Sequence, residues 1–375
     1  MSRAFATTTN RTADAQRRLP EHPSELFLQI HITDVCNLRC RHCYMTRRNT
    51  RSMSRDLFTL VLTQFQELCR AVPHGKHWVQ ITGGEPLQHP EWPWFLAEAQ
   101  RRISIVRLMT NGVGIGRSAA RTLGHYCNAI QVSVDGLEST HDAIRGPGSF
   151  RRALQGIRQL RRLGIFVSVK MTVMKVNQSE VLPLFDALKK EVCLFSVARY
   201  VPTGPEEFPL LPDGQVYADC LKQLFAQWQA GEKVSLREPF FGLWLRRACR
   251  DSCFQGCGAA NTGLTVTETG EILPCRRLPV SLGNVYQTTL QVAYQDHDVA
   301  RLLRARLFHE PCGACAYVAN CGGSRCVVWA LTGDLAAPDP GCPLHAQDAR
   351  QRSLTAVVGQ SRSGVSAAKS DTRGR

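Results

Sequence analysis

The chain has 375 residues, enough to bury a full core and to divide into two domains. Hydrophobic residues make up 43% of it, and no run approaches the ~18 apolar residues of a membrane span, so a transmembrane helix is excluded. The formal charge of +15 invites an acidic partner, but the basic residues are spread over arginine-rich helices and no nucleic-acid recognition motif accompanies them.

Neither nucleic acid nor membrane is therefore an expected partner. The N-terminus carries no apolar signal segment, which places the protein in the cytoplasm. Sixteen cysteines in a reducing compartment point to metal binding rather than disulfides.

In chain order, residues 1–24 are a Thr-, Arg- and Ala-rich leader expected to be unstructured. Strand patterns follow at Leu26–Ile32, His77–Thr82, Ser104–Thr110, Ala129–Asp135, Ile165–Val173 and Cys193–Tyr200. Between them lie amphipathic stretches at Ser54–Ala71, Pro90–Arg102, Arg117–Tyr126, Ser149–Leu163 and Ser179–Lys189. This alternation predicts an α/β fold of parallel βα units over residues 25–200, either a partial (β/α)6 barrel of the TIM type or a curved open sheet. Reactive loops then belong at the carboxyl ends of the strands.

Chemically suggestive residues fall at those ends. After the first strand comes Cys36-Asn-Leu-Arg-Cys40-Arg-His-Cys43-Tyr44. Three thiols with no fourth in the loop can hold a [4Fe–4S] cluster and leave one iron open for a chelating ligand, whereas a zinc knuckle is the competing reading of such spacing. The second strand ends in Gly83-Gly84-Glu85-Pro86, where two glycines permit close approach of a ligand to the backbone and Glu85 adds a carboxylate. The third ends in Thr110-Asn111-Gly112 and the fourth in Ser133-Val134-Asp135-Gly136. Arg145 suits a bidentate carboxylate clamp, with a local ion pair to Asp142 as the alternative. Cys69, Cys127, Cys193 and Cys220 sit singly in apolar patterns and are read as core.

Prolines interrupt the rhythm over residues 201–247, which serve as a bridge. Cysteines then cluster over 248–345: Cys249, Cys253, Cys257, Cys275, Cys312, Cys315, Cys321, Cys326 and Cys342. A hairpin over Leu264–Cys275 is expected to carry a thiol on each side. So many thiols exceed what core packing uses, and two four-cysteine zinc sites remain open as an alternative to iron–sulfur clusters. Residues 346–375 are too polar to offset ordering entropy and are expected to be disordered.

The C-x3-C-x2-C loop, the Gly-Gly-Glu loop one βα unit later, and the order of the later motifs resemble the radical S-adenosylmethionine (radical SAM) enzymes. The pattern from Cys253 onward resembles the SPASM domain, a small cysteine-rich iron–sulfur domain. The resemblance implies a cluster on Cys36, Cys40 and Cys43 whose open iron chelates SAM. Reductive cleavage of SAM then yields a 5′-deoxyadenosyl radical that abstracts hydrogen from the substrate. It further implies SAM contacts from Gly83, Gly84, Glu85, Asn111, Ser133, Asp135, Arg145 and Tyr44. Two auxiliary clusters would use Cys253, Cys257, Cys275 and Cys326, and Cys312, Cys315, Cys321 and Cys342. Four residues rather than the usual three precede Cys326, and Cys249 is an alternative to Cys253. The implied activity is oxidation or crosslinking of a ribosomal precursor peptide, with oxidative decarboxylation in a haem pathway as the alternative. Arg276-Arg277 stand where sulfatase-maturing members carry an acidic proton acceptor, which argues against that activity. The implied partners are a peptide or small-molecule substrate, a reductant such as flavodoxin or ferredoxin, and, as one option, a separate leader-binding protein.

Overall fold

Strand β1 (Glu25–His31) buries Leu26, Leu28 and Ile30 completely, while Phe27, Gln29 and His31 alternate to the other face. In the computed structural model, which describes residues 23, 25–45, 51–73, 75–248 and 256–344, this strand lies well inside one sheet. The expected tail, all but one residue of the expected leader, Cys249 and Cys253 fall outside those residues.

Strand β2 (Lys76–Thr82) pairs in parallel with β1, and β3 (Val106–Thr110), β4 (Ala129–Ser133), β5 (Val167–Val173) and β6 (Leu194–Arg199) continue beyond it in parallel. On the opposite side β7 (Gly263–Val266) pairs in parallel with β1, and β8 (Ile272–Leu273) pairs antiparallel with β7. The order is β6-β5-β4-β3-β2-β1-β7-β8. The hairpin expected within the cysteine-rich segment is thus an extension of the barrel sheet. Gly263 permits this, because a Cβ there would meet the Phe27 backbone oxygen at 2.6 Å.

Helices α1 (Arg55–Ala71), α2 (Trp92–Arg102), α3 (Arg117–Tyr126), α4 (Glu138–Arg145), α5 (Ser149–Arg162) and α6 (Val181–Leu188) fall between the first six strands. Ser54 caps α1 by accepting from the Leu57 amide, and the helix buries Phe58, Val61, Leu62 and Phe65. Each such side chain contributes roughly 1.5–3 kcal/mol of transfer energy. Helix α4 was not foreseen from sequence; its residues ESTHDAIR lack a clear apolar repeat, yet His141, Ile144 and Arg145 are buried. The bridge contains α7 (Gly214–Gln229), capped by Asp213, and α8 (Gly242–Ala248). Residues 233–235 run along the edge of β6, where Phe195 donates to the Lys233 carbonyl at 2.9 Å and Ser235 donates back to Phe195 at 2.7 Å. That contact covers an edge otherwise open to strand addition. Helices α9 (Leu290–Gln295), α10 (Asp298–Ala305) and α11 (Arg325–Thr332) complete the described chain, and their apolar residues join the barrel core in one continuous cluster. Among the described residues no helix is long and apolar enough to cross a membrane.

The outward faces of β1 to β5 are apolar and packed under the helices, but the inward faces are not. Gln29, Gln80, Arg107, Gln131, Ser168, Lys170 and Ser196 face a chamber of about 960 Å³. A filled barrel carries branched apolar residues at these positions. Here the barrel is hollow, and polar side chains stand beside apolar ones such as Phe27 and Trp78 in its lining.

Candidate active site

A second cavity, of about 140 Å³, opens at the carboxyl ends of β1 to β6. Cys36, Cys40 and Cys43 all line it, together with Tyr44, Gly83, Gly84, Glu85, Asn111, Ser133 and Arg145. Among the described residues no three His, Cys, Asp or Glu side chains converge on a single ion. Thiols spread round a cavity suit an iron–sulfur cube, in which each iron takes its own thiolate, better than a zinc ion gathering four ligands.

The thiol loop is held by the loops beside it. Gly84 donates to the Thr33 carbonyl at 2.7 Å and Glu85 to the Val35 carbonyl at 2.8 Å. A Cβ at Gly83 would lie 2.2 Å from the Thr33 oxygen, and one at Gly84 would lie 2.4 Å from the Val35 oxygen. The glycine pair therefore serves the close approach of the chain leading into Cys36, as well as lining the cavity. Glu85 is buried and accepts from Thr110 Oγ1 at 2.7 Å, the Asn111 amide at 2.7 Å and the Leu87 amide at 3.2 Å. Burial pushes its carboxyl up to about 7, against the pull of those hydrogen bonds. Asn111 donates through Nδ2 to Asn37 Oδ1 at 2.8 Å, fastening β3 to the residue after Cys36. Ser133 lines the cavity and its hydroxyl makes no hydrogen bond among the described residues.

Asp135 differs from expectation. Its carboxylate is fully buried and turned away from the cavity, with Oδ2 taken by His42 Nε2 at 2.5 Å and Arg145 Nε at 2.5 Å, and Oδ1 by the Thr172 amide at 2.7 Å. Burial opposes its charge, but Arg145 and His42 hold it well below the usual carboxylate range. Arg145 pairs with Asp135 rather than Asp142, which instead accepts from the Gly148 and Phe150 amides. The Arg145 guanidinium also reaches Cys40 Sγ at 3.9 Å. Burial pushes the Cys40 thiol up to about 11, with Arg145 opposing the rise. His42, which stands between two of the thiols in sequence, is thus the link from the loop to Asp135. Tyr44 is enclosed beside His31, their rings 6.3 Å apart.

The C-terminal thiols fall into two neighbourhoods. Cys275 and Cys326 are in hydrogen-bond contact and Cys257 lies within electrostatic range of Cys326; all three line the barrel chamber. The contact with Cys326 lowers the Cys275 thiol to about 5 against its burial. Cys321 feels both Cys342 and Cys312, and Cys312 feels Cys315. The two neighbourhoods adjoin, since the Cys257 amide donates to the Cys321 carbonyl at 3.1 Å, and Cys253 lies outside the described residues.

Three basic side chains received too little weight from sequence. Lys170, Arg276 and Arg277 line both the upper cavity and the chamber, so they form the wall between them. The signal was available on β5, where Ser168 and Lys170 alternate with buried valines.

A family model for the radical SAM superfamily matches residues 30–188, and one for the SPASM iron–sulfur cluster-binding domain matches residues 257–321. An AdoMet-dependent heme synthase of Methanosarcina barkeri is 28% identical over 340 residues, covering 83% of this chain and 94% of that one. A PqqA peptide cyclase of Streptomyces rochei is 26% identical over 336 residues, covering 84% and 88%. The crystal structure of Streptococcus suis SuiB bound to S-adenosylmethionine superposes with a TM-score of 0.67 at 18% identity, covering 89% of this chain and 80% of that one. Its likeness shows a shared fold. With three thiols and a glycine-rich loop at the mouth of a partial barrel, followed by a cysteine-rich segment, the chain belongs to the radical SAM superfamily as an enzyme carrying a SPASM iron–sulfur domain.

Proposed function

We propose that this enzyme modifies a ribosomally made precursor peptide, joining two of its atoms or introducing a double bond by removal of hydrogen. The chamber carries the reading: its volume sits at the upper end of ligand pockets, polar side chains stand in a mostly apolar lining, and it shares a wall with the cavity of the three thiols. A relative that is a peptide cyclase supports it. Cys36, Cys40 and Cys43 would hold one [4Fe–4S] cluster, and the wall of Gly83, Gly84, Glu85, Asn111, Ser133, Arg145 and Tyr44 would receive S-adenosylmethionine. When bound, that pair supplies a radical able to take hydrogen from an unreactive carbon. Asp135, through His42 and Arg145, positions the thiol loop. Cys257, Cys275 and Cys326 with an upstream cysteine, and Cys312, Cys315, Cys321 and Cys342, would hold two further clusters that accept an electron. We read residues 25–200 as the catalytic barrel and 248–345 as the auxiliary-cluster segment, working in the cytoplasm with a flavodoxin or ferredoxin as reductant and, as one option, a separate leader-binding protein.

A haem-pathway decarboxylation is the second reading, favoured by the heme synthase relative and by the basic wall, which suits propionates. Anaerobic reconstitution followed by dithionite and SAM is expected to release 5′-deoxyadenosine. Co-expression with a short precursor frame from the same gene neighbourhood is expected to lower that peptide's mass by whole hydrogen pairs. Deoxyadenosine without any peptide change, alongside loss of carbon dioxide from a porphyrin, would replace the first reading by the second.

A further inference from the structure

The wall between the two cavities is over-supplied with positive charge. The Lys170 ammonium makes no hydrogen bond or ion pair among the described residues, and the side chain lines both spaces. Arg276 donates only to neutral acceptors, Gln29 Oε1 at 3.2 Å and Met109 Sδ at 3.0 Å. Arg277 donates to the Arg199 carbonyl at 2.9 Å. The sulfurs of Cys275 and Cys326 lie within electrostatic range of Arg276 and Arg277 alike. Glu238 is the acid nearest to the group, buried at 4% exposure, and it also faces Arg199. One carboxylate thus stands among several cations: Arg276 and Arg277 share the sulfurs of Cys275 and Cys326, and Glu238 is the one acid facing Lys170 among the described residues. Burial, with Arg276 and Arg277 beside it and Glu238 opposing them, drags Lys170 down to about 7.

We propose that the substrate presents a carboxylate to Lys170 and Arg276 at the boundary of the two cavities. The identity of the carrier rests on the peptide reading, under which the group is an Asp or Glu side chain or the C-terminal carboxylate of the precursor. The carboxylate itself rests on the wall alone. It is held at the end of the chamber nearest the thiol loop, so it also fixes which carbon of the substrate lies closest to the cofactor cavity.

Binding without turnover tests this separately from the activity. The probes are the blocked pentapeptide Ac-Gly-Ala-Glu-Ala-Gly-amide and its glutamine counterpart, titrated into anaerobically reconstituted full-length enzyme while tryptophan fluorescence is followed; Trp78 lines the chamber. Wild type is expected to prefer the glutamate peptide by about tenfold or more, the scale of one charge-assisted hydrogen bond in a buried site. Lys170→Gln and Arg276→Gln are each expected to erase most of that preference, and Lys170→Arg to retain it. Equal binding of the two peptides by the folded wild type overturns the proposal and needs no variant. Coproporphyrin III is the third probe. If it binds at least a hundredfold more tightly than either peptide, and loses that advantage in Lys170→Gln, the peptide carrier is overturned. An enzyme that discriminates the two peptides yet leaves every precursor unaltered would refute the maturase reading and leave the carboxylate site standing.

Discussion

Asp135 shows how a single buried carboxylate organises this site. Removing it leaves Arg145, 8% exposed, with an uncompensated charge next to Cys40. Breaking one side of such a buried pair costs about 3–5 kcal/mol. Asp135→Ala is therefore expected to lower the unfolding midpoint and to lose iron from the thiol loop, measured by denaturant titration and by iron content after anaerobic reconstitution. Full iron content at wild-type stability would show that His42 and Arg145 hold their places unaided. His31 sets a second test at this scale. It is 3% exposed, its Nε2 has no partner among the described residues, and burial with Arg276 nearby depresses it to about 3. Because the unfolded chain protonates this residue near pH 6.5, its contribution is complete above that pH and is lost as pH falls towards 3. At pH 5 the loss is about 2 kcal/mol. The stability of wild type should drop between pH 7 and 5, and the drop should be smaller in His31→Gln.

At the level of elements, the βα rhythm was readable because each strand and helix carries its own period, and the six strands and most helices stand within a few residues of their expected places. What escaped was set by distant contacts. Helix α4 has no apolar stripe of its own; it is fixed by His141, whose Nδ1 accepts from the Asp135 amide at 3.1 Å, and by the Arg145 pair. The hairpin was legible, but its placement on β1 was not, since nothing local says which edge a strand will join. The site behaves the same way. The cysteines and the glycine loop announce themselves by spacing, whereas the turn of Asp135 away from the cavity depends on Arg145, ten residues away, and on Thr172. Gln64 tests the long-range tie between halves. From α1 it donates to the Val285 carbonyl at 3.0 Å and accepts from the Leu290 amide at 3.1 Å. Gln64→Leu leaves both buried groups unpaired, so about 1–3 kcal/mol for each is expected to be lost. A single cooperative denaturation with a lower midpoint is the predicted outcome; an unchanged midpoint would mean that the C-terminal half is not anchored there.

For the whole molecule, barrel and cysteine-rich segment share one sheet and one core, and a buried ion pair from Arg199 on β6 to Asp339 joins them again. The three groups of thiols are thus set in a single frame, with Cys275 and Cys326 on the chamber wall and Cys36, Cys40 and Cys43 above it. Such a frame makes the iron content divisible by group. Three four-iron clusters imply about twelve irons per chain after anaerobic reconstitution. Replacing Cys36, Cys40 and Cys43 by alanine should remove about four of them and all reductive cleavage of SAM. Replacing Cys312, Cys315, Cys321 and Cys342 should also remove about four but leave 5′-deoxyadenosine formation intact, because those thiols lie away from the cavity that would receive SAM. The two results fail in different ways. Wild type with about four irons, all lost with the first three thiols, would show that the C-terminal thiols hold no cluster. Loss of SAM cleavage in the second variant, with its remaining iron in place, would show that the distant thiols shape the cofactor cavity through the shared sheet.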